Sequence, residues 1–104
     1  MDYKIKSPVV MIVFNRFEKT LQVFEKVKLV QPSKLYIIAD GPRSGNSEDL
    51  EKCKKVRSIF DKIDWPCEVI KEYSSNNLGC GMRPFTGISN VFKKEDFAIV
   101  LEDD

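Results

Sequence analysis

Histidine is missing altogether from the 104 residues. That excludes Ser-His and Cys-His nucleophiles within this segment, together with any His-ligated metal. Cysteine is scarce: Cys53, Cys67 and Cys80 are odd in number, far apart and contain no Cys-x-x-Cys pair. Such a set argues against a disulfide framework and a zinc site, and it suits a reducing, cytoplasmic setting. No apolar run reaches the roughly 18 residues of a membrane span, so no transmembrane segment is expected. The opening Met1-Asp2-Tyr3-Lys4 is not a signal peptide. An excess of either charge is also lacking. The formal net charge of +1 gives no general pull toward nucleic acid or a membrane surface. The length allows one domain with a modest core, small for a whole two-substrate enzyme.

What is present alternates regularly. Val9 to Phe14 is nearly all apolar, as a strand covered on both faces should be. From Glu18 to Val30, Leu21, Phe24 and Val27 recur every three residues, which predicts an amphipathic helix ended by Pro32. Lys34 to Ala39 reads as a second buried strand, broken by the turn residues Asp40 to Asn46. Ser47 is the expected N-cap of a second helix, with Glu48 and Asp49 in its first turn, where the dipole favours anions. Leu50, Cys53, Val56, Phe60 and Ile63 fit its buried stripe. Cys67 to Tyr73 alternates partly and is expected near a sheet edge. A third helix is expected from about Met82 to Phe92, with Phe85, Ile88, Val91 and Phe92 inward, and Arg83-Pro84 in its first turns. The apolar run Phe97 to Leu101 predicts a fourth buried strand, ending on Glu102-Asp103-Asp104.

This order implies right-handed crossovers and a parallel sheet. The expected fold is α/β, a Rossmann-like doubly wound sheet of four strands in order 3-2-1-4 with three helices. Its switch point falls between strands 1 and 4. All four loops that follow strands then open on one rim, where the polar residues collect. Three adjacent carboxylates at Glu102, Asp103 and Asp104 repel one another unless a cation or hydrogen-bonded ligand balances them. Mg²⁺ and Mn²⁺ favour carboxylate and phosphate oxygens; the bland alternative is a solvated strand end or a helix cap.

Asp40 is either turn chemistry or an acceptor for a nucleobase or ribose. Arg16 either flanks the first helix or meets phosphate in the crevice. Asn77-Leu78-Gly79-Cys80-Gly81 is a weak phosphate loop, because it fits neither common glycine-rich motif. Arg83 behind it is the better phosphate candidate, set against a surface arginine. Tyr36 and Phe14 are expected in the core, and Cys80 is read as incidental.

Four stretches together resemble a known family. They are Pro8 to Arg16, Ile37 to Gly41, Asn76 to Arg83 and Ala98 to Asp104. In this order they look like the nucleotide-binding half of a GT-A glycosyltransferase. The Glu-Asp-Asp form of the Asp-x-Asp motif is similar to that of the N-acetylglucosaminyltransferase I type and of family 2 transferases.

The resemblance spans Pro8 to Asp104. It implies an inverting, metal-dependent transfer from a nucleotide-diphosphate sugar, with a UDP-sugar the first expectation, to a glycan or lipid acceptor. It implies that Asp40 binds the base and that Asn15 and Arg16 line the base and phosphate pocket. Arg83 would lie near the diphosphate or sugar, Asp103 at the ribose, Glu102 at the ribose or sugar, and Asp104 on Mn²⁺ or Mg²⁺. In that family the general base and acceptor region follow the motif strand. The segment is therefore expected to be a truncated domain, inactive alone, from a cytoplasmic protein with the inner membrane face as an option. The rivals are a non-catalytic nucleotide- or metal-binding module and a Toprim-like phosphoryl-transfer fold. The latter wants a Glu after strand 1, where Asn15-Arg16 stands.

Overall fold

A computed structural model describes residues 7–102, with the side chains of residues 80–85 outside that description. The element order is β1 (Val9–Val13), α1 (Phe17–Val30), β2 (Lys34–Ala39), α2 (Ser47–Ser58), a short 3₁₀ turn (Ile59–Lys62), β3 (Glu68–Tyr73), α3 (Gly79–Phe92) and β4 (Ile99–Glu102). All strand pairs are parallel and the sheet order is β3-β2-β1-β4, as the alternation predicts.

Strand alternation divides the core in two. Val9, Met11, Val13, Leu35, Ile37 and Ala39 face one side, packed against Phe24 and Val27 of α1 and Val56 of α2. Val10, Tyr36 and Ile38 face the other, against Val91 of α3. Two helices on one face and one on the other make the sheet doubly wound. On the first face Phe24 stands edge-on to Phe60 at 5.7 Å. The Trp65 indole donates to the Pro32 carbonyl at 2.9 Å, so the α2–β3 connection is held across the end of α1. At the far end of the sheet, Tyr36 Oη donates to Glu95 at 2.7 Å and Lys34 Nζ pairs with the same carboxylate at 2.5 Å. These bonds anchor the α3–β4 connection.

Several local expectations change. α2 is capped by Asn46, whose Oδ1 accepts from Asp49 N at 2.9 Å, while Ser47 is its first helical residue. α3 begins at Gly79 rather than near Met82, which places Pro84 beyond the first turn. Leu50 and Phe92 are exposed and not inward, and Phe14 is half-buried. β4 is not the buried strand expected. Among the described residues it pairs with β1 alone, and Ile99 and Val100 are 42% and 38% exposed. An edge strand keeps one flank and part of its faces open, whatever its hydrophobicity. β3, the other edge, fits its partly alternating sequence. Among the described residues no helix is long and apolar enough to cross a membrane.

Candidate functional site

Register brings the strand exits together. Val13 lies opposite Ala39, Asp40 N donates to the Val13 carbonyl at 3.3 Å, and Ser74 N donates to that of Ala39 at 2.9 Å. The loops carrying Asn15-Arg16, Asp40 to Asn46 and Ser74 to Leu78 therefore leave the sheet side by side. On the other flank of β1, Glu102 pairs with Ile12. Arg16, Asp40 and Glu102 thus stand at the carboxyl ends of three adjacent strands, around the switch point. Arg83 lies in the first turns of α3, its side chain outside the described residues, and Asp103 and Asp104 lie outside them altogether.

The two buried carboxylates of this rim are already engaged. Asp40 is 6% exposed. Its Oδ1 accepts from Gly41 N at 2.9 Å and Leu78 N at 2.8 Å, and its Oδ2 accepts from Gly79 N at 3.0 Å. Leu78 and Gly79 open α3, so Asp40 occupies the place where an external anion would meet that helix. The phosphate role considered for the Asn77 to Gly81 loop is therefore filled at its Leu78 and Gly79 amides by the chain's own carboxylate. Gly79 allows this with φ of +88°, a left-handed conformation that a side chain would strain.

Asp49 forms the second cluster. Arg43 donates to it bidentately, Nε to Oδ2 at 2.6 Å and Nη2 to Oδ1 at 2.8 Å. The Arg43 backbone N–H adds a bond at 3.1 Å, and Asn15 Nδ2 donates to Oδ1 at 3.1 Å. The Arg43 side-chain bonds, followed by the backbone and Asn15 bonds, hold the Asp49 carboxyl well below the usual carboxylate range against an opposing burial effect. Asn15 thus turns its amide toward α2. The expectation that it lines a base and phosphate pocket meets an amide donor already committed to Asp49.

Because the folded-state pKa of Asp49 is lowered, its stabilisation is complete above the ordinary value of 3.8. It is lost as the pH falls below that value toward the folded one. An Asp49→Asn variant is expected to be less stable than the parent at neutral pH, with the gap shrinking as the pH falls below 3.8. Urea unfolding across that range measures it; a gap that stays constant with pH contradicts the assignment.

Two participants gave no signal in the sequence reading. Arg57 of α2 donates through Nη2 to the carbonyls of Asp40 at 3.1 Å and Ser74 at 2.8 Å. Its guanidinium lies 4.6 Å from the centre of the Tyr73 ring. It ties the ends of β2 and β3 together. Burial pushes the Tyr73 hydroxyl up to about 12, with Arg57 pulling the other way. The Cys53 thiol is pushed up by burial, which leaves it unsuited to act as a nucleophile.

Among the described residues no three acidic, cysteine or histidine side chains converge on a common point. Of the terminal carboxylates only Glu102 is described, exposed at the end of β4.

The fold and rim define a doubly wound parallel α/β unit with its polar residues gathered at the carboxyl edge of the sheet. Compared with protein families, curated proteins and solved structures, the chain has no match.

Proposed function

We propose that the carboxyl rim of the sheet binds the nucleoside-diphosphate part of a sugar donor, as the donor-binding part of a glycosyltransferase. One observation carries the reading: Arg16, Asp40 and Glu102 end three neighbouring strands around the β1/β4 switch point. Ligands of open α/β sheets bind at that place. The Arg16 guanidinium suits phosphate. Asp40 Oδ2, with one internal bond, retains acceptor capacity for a base N–H. Glu102 suits ribose or sugar hydroxyls. Mn²⁺ or Mg²⁺, for which Asp104 is the proposed ligand, would supply Lewis-acid stabilisation of the departing diphosphate.

A second reading, a non-catalytic nucleotide-binding module, is favoured by a separate observation. Both buried rim carboxylates, Asp40 and Asp49, have internal hydrogen-bond donors on each oxygen and so serve the fold as well. Binding is expected in both cases, and turnover of UDP-sugar distinguishes them.

Calorimetry with UDP is expected to show binding that strengthens with Mn²⁺ and weakens about tenfold or more in Arg16→Ala, the scale of one charge-assisted hydrogen bond. No heat at millimolar UDP with Mn²⁺ sinks the donor-binding reading.

A further inference from the structure

Beside this rim, on the β3 side, lies a cleft of about 610 Å³ between the β2–α2 loop and the β3–α3 loop. It shares no lining residue with the Arg16, Asp40 and Glu102 set. Its size falls within the ordinary range for small-molecule sites.

Its walls are fixed by bonds already formed. Gly41 passes so close to the opposite loop that an added Cβ would lie 2.6 Å from the Ser75 carbonyl carbon and 2.8 Å from Asn76 backbone atoms. Asn77 Nδ2 donates to the Gly41 carbonyl at 3.0 Å, and Ser74 Oγ to that of Asn76 at 2.6 Å. Arg43 is fixed by Asp49 on the other wall. A cleft whose walls are ordered before binding loses little entropy when a ligand enters.

The lining decides the ligand chemistry. The one charged side chain among its described lining residues, Arg43, is neutralised by the bidentate pair with Asp49, so neither phosphate nor metal is favoured. The α2 N-terminus is already capped by Asn46 and carries Asp49, so the helix dipole draws no anion there. What remains is neutral. The hydroxyls of Ser44, Ser47 and Ser75 and the amide of Asn76 make no side-chain hydrogen bond among the described residues, and Leu50 adds an exposed apolar surface. Hydroxyls and amides both donate and accept. Among the described residues no aromatic ring lines the cleft, which removes the usual stacking platform for a nucleobase there. We infer that this cleft is a second binding site, for an uncharged sugar, separate from the nucleotide rim.

The test is an amide-resolved NMR titration of the whole chain with maltose, and in parallel with uridine, without metal. Maltose at tens of millimolar is expected to move amides within 43–50 and 75–77 and to leave those of Asn15, Arg16 and Glu102 in place. Leu50→Ser and Asn76→Ala, both at exposed positions, are each expected to weaken it roughly three- to tenfold, the scale of one lost contact or hydrogen bond. Their dispersed spectra report that both variants fold. No shift with maltose overturns the inference. So do shifts elsewhere, or uridine moving the same amides at lower concentration. Because no nucleotide or metal is present, failure here leaves the UDP calorimetry to decide the rim independently.

Discussion

Asp40→Ala is expected to destabilise the domain by about 3–5 kcal/mol, the cost of leaving several N–H groups without their charged acceptor. The carboxylate holds Gly41 N, Leu78 N and Gly79 N at once, at 2.8 to 3.0 Å. It sits at a strand end that is almost closed to water, so bulk solvent replaces those bonds poorly. Asp40→Asn keeps one acceptor oxygen but turns an amide donor toward another N–H, and should recover only part of the loss. Urea unfolding measures both variants, and hydrogen exchange at Leu78 and Gly79 should accelerate first, because the start of α3 loses its cap. A loss below about 1 kcal/mol contradicts the assignment, since three bonds to a charge cannot be worth so little. On the proposed reading, loss of nucleotide binding in Asp40→Ala would mix a loosened α3 entry with a lost contact. Arg16→Ala is therefore the cleaner probe of the rim.

Gly87→Val is expected to cost about 3 kcal/mol, at the upper end for overpacking a core. A Cβ at Gly87 would lie 2.5 Å from Cγ2 of Ile38, 2.6 Å from its Cδ1 and 2.8 Å from its Cγ1. Ile38 is fully buried in the central strand β2, paired on both sides, so it cannot retreat. Glycine inside a helix ordinarily costs about 1 kcal/mol relative to alanine, so an exposed Gly87 would gain from substitution. The sign of the result thus decides between close packing and mere propensity. Combining Gly87→Ala with Ile38→Ala should destabilise less than the sum of the single changes, because the smaller side chain receives the new methyl. Thermal unfolding of the three variants gives that coupling. Additive losses would show that α3 does not rest on β2 at this point.

The two residues explain what was legible in the chain. Apolar runs at Val9–Val13 and Lys34–Ala39 and the spacing of Leu21, Phe24 and Val27 carry the local period directly, so elements and strand order follow from them. The loop positions of Arg16 and Asp40 follow in turn from strand direction. Asp40's occupation does not. Its partners Leu78 and Gly79 are 38 and 39 residues away, and no local pattern encodes such a meeting. The same holds for α2. Asn46 and Ser47 are both competent caps, and the choice fell to Asn46 where Asp49 is held by Arg43 and Asn15. β4 reads as buried because hydrophobicity reports composition, whereas exposure depends on what lies alongside.

By itself, then, the sequence determined an α/β chain with a parallel sheet in order 3-2-1-4 and polar exits on one rim, because periodicity and crossover handedness are local and chiral constraints. Only the tertiary structure decided which of those polar groups remain open to a ligand. Asp40 is met by Leu78 and Gly79, and Asp49 by Asn15, across distant loops, since a buried charge must find partners wherever the fold brings them. The neutral cleft between two loops exists for the same reason: its walls come from separate parts of the chain and meet only when the sheet is assembled.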